Sequence, residues 1–256
     1  MRPERIAQVL DELDADVIAL QEVVRSGGRS RQDQARFVAD SLGYHPVFGE
    51  VRHYNGAPYG NLLLSRFPVL GFWNYDITTR GREPRGVLRA DVRLGDGQLL
   101  HLFNVHMGTD FRERREQAQR LVSEHILRNG QLAGARIVLG DFNEWFPGLA
   151  SRLLSAHFRA NDAQLYAGRN RTYPCVLPLF RLDHIYFDGG LNLHYLGRHR
   201  SRMALIASDH LPVVAEFSLQ ARQFSAPRRA VSHSKAGQAS SDQQQVVRSF
   251  QSSRTP

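Results

Sequence analysis

Residues 44–106 constrain the fold most, because strand-like runs follow one another there with no helical periodicity between them. Apolar runs at 61–65, 69–79, 87–94 and 99–106 are punctuated by Asn55-Gly56, Phe67-Pro68 and Gly95-Asp96-Gly97, turn signals of the kind that close hairpins. Around this block the period changes. Ile6, Val9, Leu10 and Leu13 recur at helical spacing within 3–14, and Ala35, Val38, Ala39 and Leu42 within 32–42, before Gly43. A third helix is predicted over 111–129, with Ala118, Leu121, Val122 and His125 in register and Gly130 as its stop, and a shorter one over 148–156. Further strands are predicted at 16–23, 135–139, 182–187, 191–196 and 212–219. Hairpin-rich strands with few long helices predict an α/β domain of packed sheets flanked by helices.

The chain has 256 residues, 42% of them apolar and 23% charged, enough for a substantial core. No run approaches the roughly 18 apolar residues that span a bilayer, and the amphipathic start after Met1 is unlike a secretory leader. Cys175 is the only cysteine; the expectation is a cytoplasmic monomer, in keeping with a reducing compartment. The net charge of +8 is unevenly spread: from Arg222 onward six basic residues face one acid, Asp242, so the body is only mildly basic. Residues 1–221 form the predicted domain. Residues 222–256, rich in Ser, Gln and Arg, are expected to lack regular structure, since they bury too little to offset ordering entropy.

The chemistry concentrates at strand ends. Gly140-Asp141-Phe142-Asn143 closes the apolar run Ile137-Val138-Leu139, and alternation puts Asp141 and Asn143 on one side of an extended backbone. Asn104 and His106 share a face for the same reason. Glu22 ends the first strand, Asp183 interrupts 182–187, and Asp209-His210 precedes the last strand. Arg82, Glu83 and Arg85 lie in the connection before Val87. Singly, such acids are most often turn formers or helix caps, and Asp141 could cap a helix starting near Pro147. Together, hard oxygen donors and a titratable imidazole are what water attack on a phosphate ester requires.

The order of these segments resembles the endonuclease/exonuclease/phosphatase superfamily, the fold of DNase I. The segments are 15–23 ending in Gln21-Glu22-Val23, 60–68 opening with Gly60-Asn61, Glu83-Pro84-Arg85-Gly86, Phe103-Asn104-Val105-His106, Gly140-Asp141-Phe142-Asn143, Arg181-Leu182-Asp183-His184-Ile185 and Ser208-Asp209-His210-Leu211-Pro212. The resemblance implies a four-layer α/β/β/α sandwich and Mg²⁺- or Mn²⁺-dependent hydrolysis of a phosphoester. It assigns Glu22 to the metal, with Asp209 a further ligand or water-mediated partner, and His210, oriented by Asp183, as general base or phosphate-binding imidazole. Asp141 would position or deprotonate water, Asn143 would bond a phosphoryl oxygen, and His106, supported by Asn104, would serve the leaving group or bind phosphate. Arg82 and Arg85 are candidate phosphate clamps.

One departure stands out. The family opens with a strand whose asparagine joins the glutamate at the metal, whereas this chain begins in the helix that follows, with no asparagine before Glu22. The expectation is a fragment with weakened metal binding, since a missing interior strand strands its neighbours' backbone groups. The substrate stays open between nucleic acid and phospholipid diesters, with a phosphomonoester or a non-catalytic phosphate-binding remnant as alternatives. Arg112, Arg114 and Arg115, and Arg198 to Arg202, are candidates for a cationic rim.

Overall fold

The computed structural model describes residues 2–26, 33–95, 97–146, 148–158, 160–161, 171–188, 190–219 and 245–251. Helix α1 (Pro3–Leu13) starts with a proline whose fixed φ suits a first turn, and ends at Asp14 in the left-handed region. Helix α2 (Gln34–Leu42) is capped by Asp33, which accepts from the Arg36 amide, and is stopped by Gly43. Helices α3 (Phe111–Leu121), α4 (Leu149–His157) and α5 (Ala204–Ala207) are the others among the described residues. The strands are β1 (Val17–Val24), β2 (His45–Tyr54), β3 (Ala57–Ser65), β4 (Val69–Asp76), β5 (Gly86–Arg93) and β6 (Leu99–His106). They continue with β7 (Ala135–Asp141), β8 (Ala160–Asn161), β9 (Asp183–Phe187), β10 (Leu191–Arg198), β11 (Val213–Leu219) and β12 (Gln245–Gln251).

Two six-stranded sheets result, ordered β10-β11-β12-β1-β3-β2 and β4-β5-β6-β7-β9-β8. Between them lie Val17, Ala19 and Leu63 of the first sheet against Leu88, Ala90, Leu102, Ile137 and Leu139 of the second. The larger of these side chains gain about 1.5–3 kcal/mol each from full burial. The outer face of the first sheet carries Ile18, Leu20, Leu62 and Leu64, packed on Ile6, Val9, Leu10 and Val38 of α1 and α2. The outer face of the second carries Val87, Phe103, Val105 and Val138, packed on Ala118, Leu121 and Leu154 of α3 and α4. This is the α/β/β/α sandwich. Among the described residues no helix is long and apolar enough to cross a membrane.

Two expectations fail. Helix α3 stops at Leu121 rather than running to 129: the Leu127 amide turns back to the Leu121 carbonyl, and Arg128 to Ser123. That turn carries Ile126 and Leu127 into the core while His125 faces solvent. The second failure concerns the segment from Arg222 onward, since Gln245–Gln251 form β12, parallel to β1 and antiparallel to β11. The physical reason is the unpaired backbone of two interior neighbours, for which any strand-competent segment is a partner. The remaining residues of 222–256 lie outside the described residues.

Candidate active site

The site is built by register. His106 pairs with Asp141 across the parallel β6–β7 ladder, and Asp141 with Asp183 across the antiparallel β7–β9 ladder. The three side chains therefore stand in one row at a single end of the second sheet. His210 joins the row through Asp183, whose Oδ2 lies 2.7 Å from His210 Nδ1. The other end of the row is Glu22, from the first sheet. It sits where the β1–β3 register slips between Leu20 and Val23, with φ of 62°. A left-handed backbone costs a non-glycine residue roughly 1–2 kcal/mol. Here it accompanies a bulge, a device that re-aims a side chain beside functional sites. Glu22 lines a small cleft with His106, Arg85, Asn61, Tyr59 and Gly86.

Gly140 explains why the motif is Gly-Asp and not another pair. Its φ is 135°, and a Cβ there would lie 2.0 Å from the Val105 carbonyl oxygen. Only glycine lets β7 run this close to β6 and deliver Asp141 beside His106. The next turn is fixed by Asn143, whose amide donates to Asp141 Oδ1 at 2.8 Å and whose Nδ2 donates to the Met107 carbonyl at 2.8 Å. One of its two side-chain N–H groups is thus spent on structure. Behind this loop, Gln117 Oε1 accepts from Gly108 at 2.8 Å, and Arg114 Nη1 donates to the Gly108 carbonyl at 3.3 Å. Arg114 is therefore buried as a brace, not part of a cationic rim.

The electrostatics follow from burial. Asp141 is fully buried, and its carboxyl is pushed up to about 7 by that burial, against the pull of His210 and with repulsion from Asp183 adding to it. For His210 burial favours the neutral ring, but the charge and hydrogen bond of Asp183, with Asp141 and Asp209, outweigh it and hold the imidazole up to about 9. His210 is a cation at neutral pH, its Nδ1–H donating to Asp183. His106 is set differently. Arg85 Nη1 lies 3.4 Å from His106 Nδ1; an arginine only donates, so Nδ1 accepts and the ring proton sits on Nε2, 3.6 Å from Asp141 Oδ2.

Not every expected residue enters the row. Arg85 is buried in the cleft and bonded to Glu83 at 2.7 Å, whereas Arg82 is exposed and lies 3.5 Å from Asp110. Asn104 lies beneath the site, wholly buried. Its Nδ2 donates to the Leu20 and Leu62 carbonyls at 2.9 and 3.0 Å, and its Oδ1 accepts from Gln21 Nε2 at 2.6 Å. It clasps the two sheets together. Asn61 adds a crossing bond to the Gly86 carbonyl at 3.0 Å. Asp209 is exposed at the mouth, its carbonyl accepting from the Cys175 amide at 2.7 Å.

Sequence reasoning missed Asn61 and Tyr173 as members of the site. Asn61 was visible as a polar residue opening the apolar run Leu62-Leu63-Leu64, which is costly to bury unless bonded. Tyr173 belongs to the stretch Thr172-Tyr173-Pro174, but its place beside His210, with ring centroids 4.9 Å apart, depends on a hairpin remote from His210 in the chain.

The donor set suits a hard divalent cation. Asp141 Oδ2 and Asp183 Oδ1 are buried with no hydrogen-bond partner among the described residues, and Glu22 opens onto the adjoining cleft. No trio of His, Cys, Asp or Glu closes into a cage among the described residues.

Two face-to-face sheets between helical layers, with acids and imidazoles aligned at one mouth, define a DNase I-like scaffold. The chain belongs to the Endonuclease/Exonuclease/phosphatase family, whose profile matches residues 1–210. It is 29% identical over 230 residues to the uncharacterized protein YbhP of Escherichia coli, covering 81% of this chain and 85% of that one. A functionally unknown conserved protein from Enterococcus faecalis superposes with a TM-score of 0.71 at 18% identity, over 86% of this chain and 91% of that one. A mannosyl-6-phosphatase of Bacteroides thetaiotaomicron superposes with a TM-score of 0.67 at 18% identity, over 84% of this chain and 90% of that one.

Proposed function

We propose that this protein hydrolyses phosphoester bonds with Mg²⁺ or Mn²⁺, acting on phosphodiesters. The observation that carries the reading is the row itself: His106, Asp141 and Asp183 stand in register at one end of the second sheet, and His210 is hydrogen-bonded to Asp183 at 2.7 Å. Asp141 takes a proton from the attacking water, a role for which a value near the working pH is the useful one. His210 contributes positive charge and an Nε2–H to a phosphoryl oxygen, held in orientation by Asp183. Arg85 and the remaining N–H of Asn143 add donors where charge develops, and His106 presents Nε2–H on the leaving-group side. Asn104 positions the strand that carries His106. A divalent cation held by Glu22 and Asp209 would supply charge neutralisation at the phosphate and lower the pKa of water. Arg82 enters only as a rim cation.

The test is turnover of bis-p-nitrophenyl phosphate with Mn²⁺ or Mg²⁺, against an EDTA control and against His210→Ala and Asp141→Ala. Hydrolysis that needs the metal and both side chains is expected. Equal background rates in all three proteins would overturn the reading, and faster turnover of p-nitrophenyl phosphate than of the diester would make the protein a phosphomonoesterase.

A further inference from the structure

One face of the mouth is apolar. The hairpin between Tyr173 and Phe180, closed by amides of Leu179 and Phe180 on the Tyr173 carbonyl at 2.9 and 2.8 Å, raises Val176, Leu177 and Leu179, exposed by 65%, 65% and 50%. Its base is tied to the site: Cys175 donates to the Asp209 carbonyl at 2.7 Å and Leu211 to the Thr172 carbonyl at 3.0 Å. Beside it stands the loop after Asn143. Trp145 packs on Phe180 and Tyr173 with centroids 4.8 and 5.6 Å away, and Phe146, 76% exposed, lies 6.5 Å from Phe180. A contiguous apolar surface of this kind marks an interaction site. Two arginines flank the hairpin: Arg200 donates to the Val176 carbonyl at 3.4 Å and Arg198 to the Arg171 carbonyl at 3.1 Å. Asp209 is the acid at the hairpin base, and Asp110 is paired with Arg82 at 3.5 Å.

From this juxtaposition we infer that the rim formed by Val176, Leu177, Leu179, Trp145 and Phe146 docks on an anionic lipid bilayer and presents lipid-borne phosphodiesters to the row. The chemistry matches on both counts. Aliphatic side chains at a hairpin tip gain nothing by stacking on nucleobases, which aromatic platforms serve, but they enter acyl chains. Tryptophan settles at the headgroup level, and flanking arginines add attraction to anionic lipid. The substrate class rests on the hydrolase reading above; the docking does not.

The experiment uses the full chain carrying His210→Ala, so that no lipid is consumed, in flotation with vesicles of phosphatidylcholine alone or mixed with phosphatidylglycerol. Binding is expected to the mixed vesicles, weakening with salt. Leu177→Asp and Phe146→Asp, placed separately, each reduce it at least about tenfold, since each puts a charge where apolar surface inserts. Both substitutions, made in the otherwise unaltered chain, leave bis-p-nitrophenyl phosphate turnover unchanged, which also certifies their folding. The inference is overturned if the protein stays with the pellet at all lipid concentrations. It is equally overturned if both Asp variants float like the parent, or if a single-stranded oligonucleotide competes the protein off the vesicles through Trp145. Vesicle binding without any hydrolysis of soluble diester would support the docking and remove the hydrolase reading alone.

Discussion

Asp183→Asn should change His210 more than any other single substitution, and by an amount the site geometry supplies. The imidazole stands at about 9 against an ordinary value of 6.5, and one pKa unit corresponds to about 1.4 kcal/mol. Because the folded value is raised, the stabilisation is complete below the unfolded value and is lost as pH rises through the folded one. At neutral pH it amounts to about 2–3 kcal/mol. Asparagine keeps the shape and can still accept at Nδ1–H, but it removes the charge that outweighs burial. In Asp183→Asn, with EDTA present, the ring of His210 should titrate at or below the ordinary histidine range by NMR. Urea unfolding should show a loss of about 2 kcal/mol at neutral pH that shrinks as the pH is taken through about 9. The reasoning fails if His210 of the unaltered chain titrates near its ordinary value, or if the penalty is the same in alkaline solution.

Three further outcomes are expected. Gly140→Ala should cost about 2–4 kcal/mol in urea unfolding, from a strained φ and a backbone clash at Val105; an unchanged midpoint would show that β7 has room to move. Asp141→Asn should lower turnover of bis-p-nitrophenyl phosphate by about 10²–10⁴ without lowering the melting temperature, since it removes a buried carboxyl held up at about 7; equal turnover would dismiss Asp141 as the base. Away from the site, burial works against the charge of Asp91, but His101 Nδ1 at 2.7 Å and Arg89 Nε at 2.8 Å hold its carboxyl below the usual range. The stabilisation is therefore present above the ordinary carboxylate value and drains as pH falls through the depressed one. Asp91→Asn should cost about 3 kcal/mol at neutral pH and progressively less in acid, as followed by thermal melts; a constant difference would mean packing and not charge.

Local patterning was readable wherever burial is local. The faces of α1 and α2, the β5–β6 hairpin and the Gly-Asp-Phe-Asn turn follow from periodicity and from one glycine that admits no side chain. The row of His106, Asp141 and Asp183 follows from strand ends, once three strands are adjacent. What the sequence did not disclose depends on partners far away in the chain. The bend after Leu121 answers to core space that takes Ile126 and Leu127, not to the propensity of residues 122–129. Strand β12 carries little intrinsic signal, and its reason for existing is the exposed ladders of β1 and β11. Asn104 looked like a companion of His106 on one strand face, but its side-chain hydrogen bonds all run to the opposite sheet. The left-handed backbone at Glu22 has no sequence signature at all.

That clasp has a mechanical consequence. Glu22 belongs to one ladder and His106, Asp141 and Asp183 to the other, so the distance between them is the alignment of two slabs held chiefly by non-directional aliphatic contact. Such a boundary is a slip plane. The amide of Asn104, spanning from β6 to the Leu20 and Leu62 carbonyls, acts as a dowel against shear, set just below the residues whose spacing matters most. Warming that loosens the dowel would misalign the reacting groups while both ladders stay intact, so inactivation should run ahead of melting.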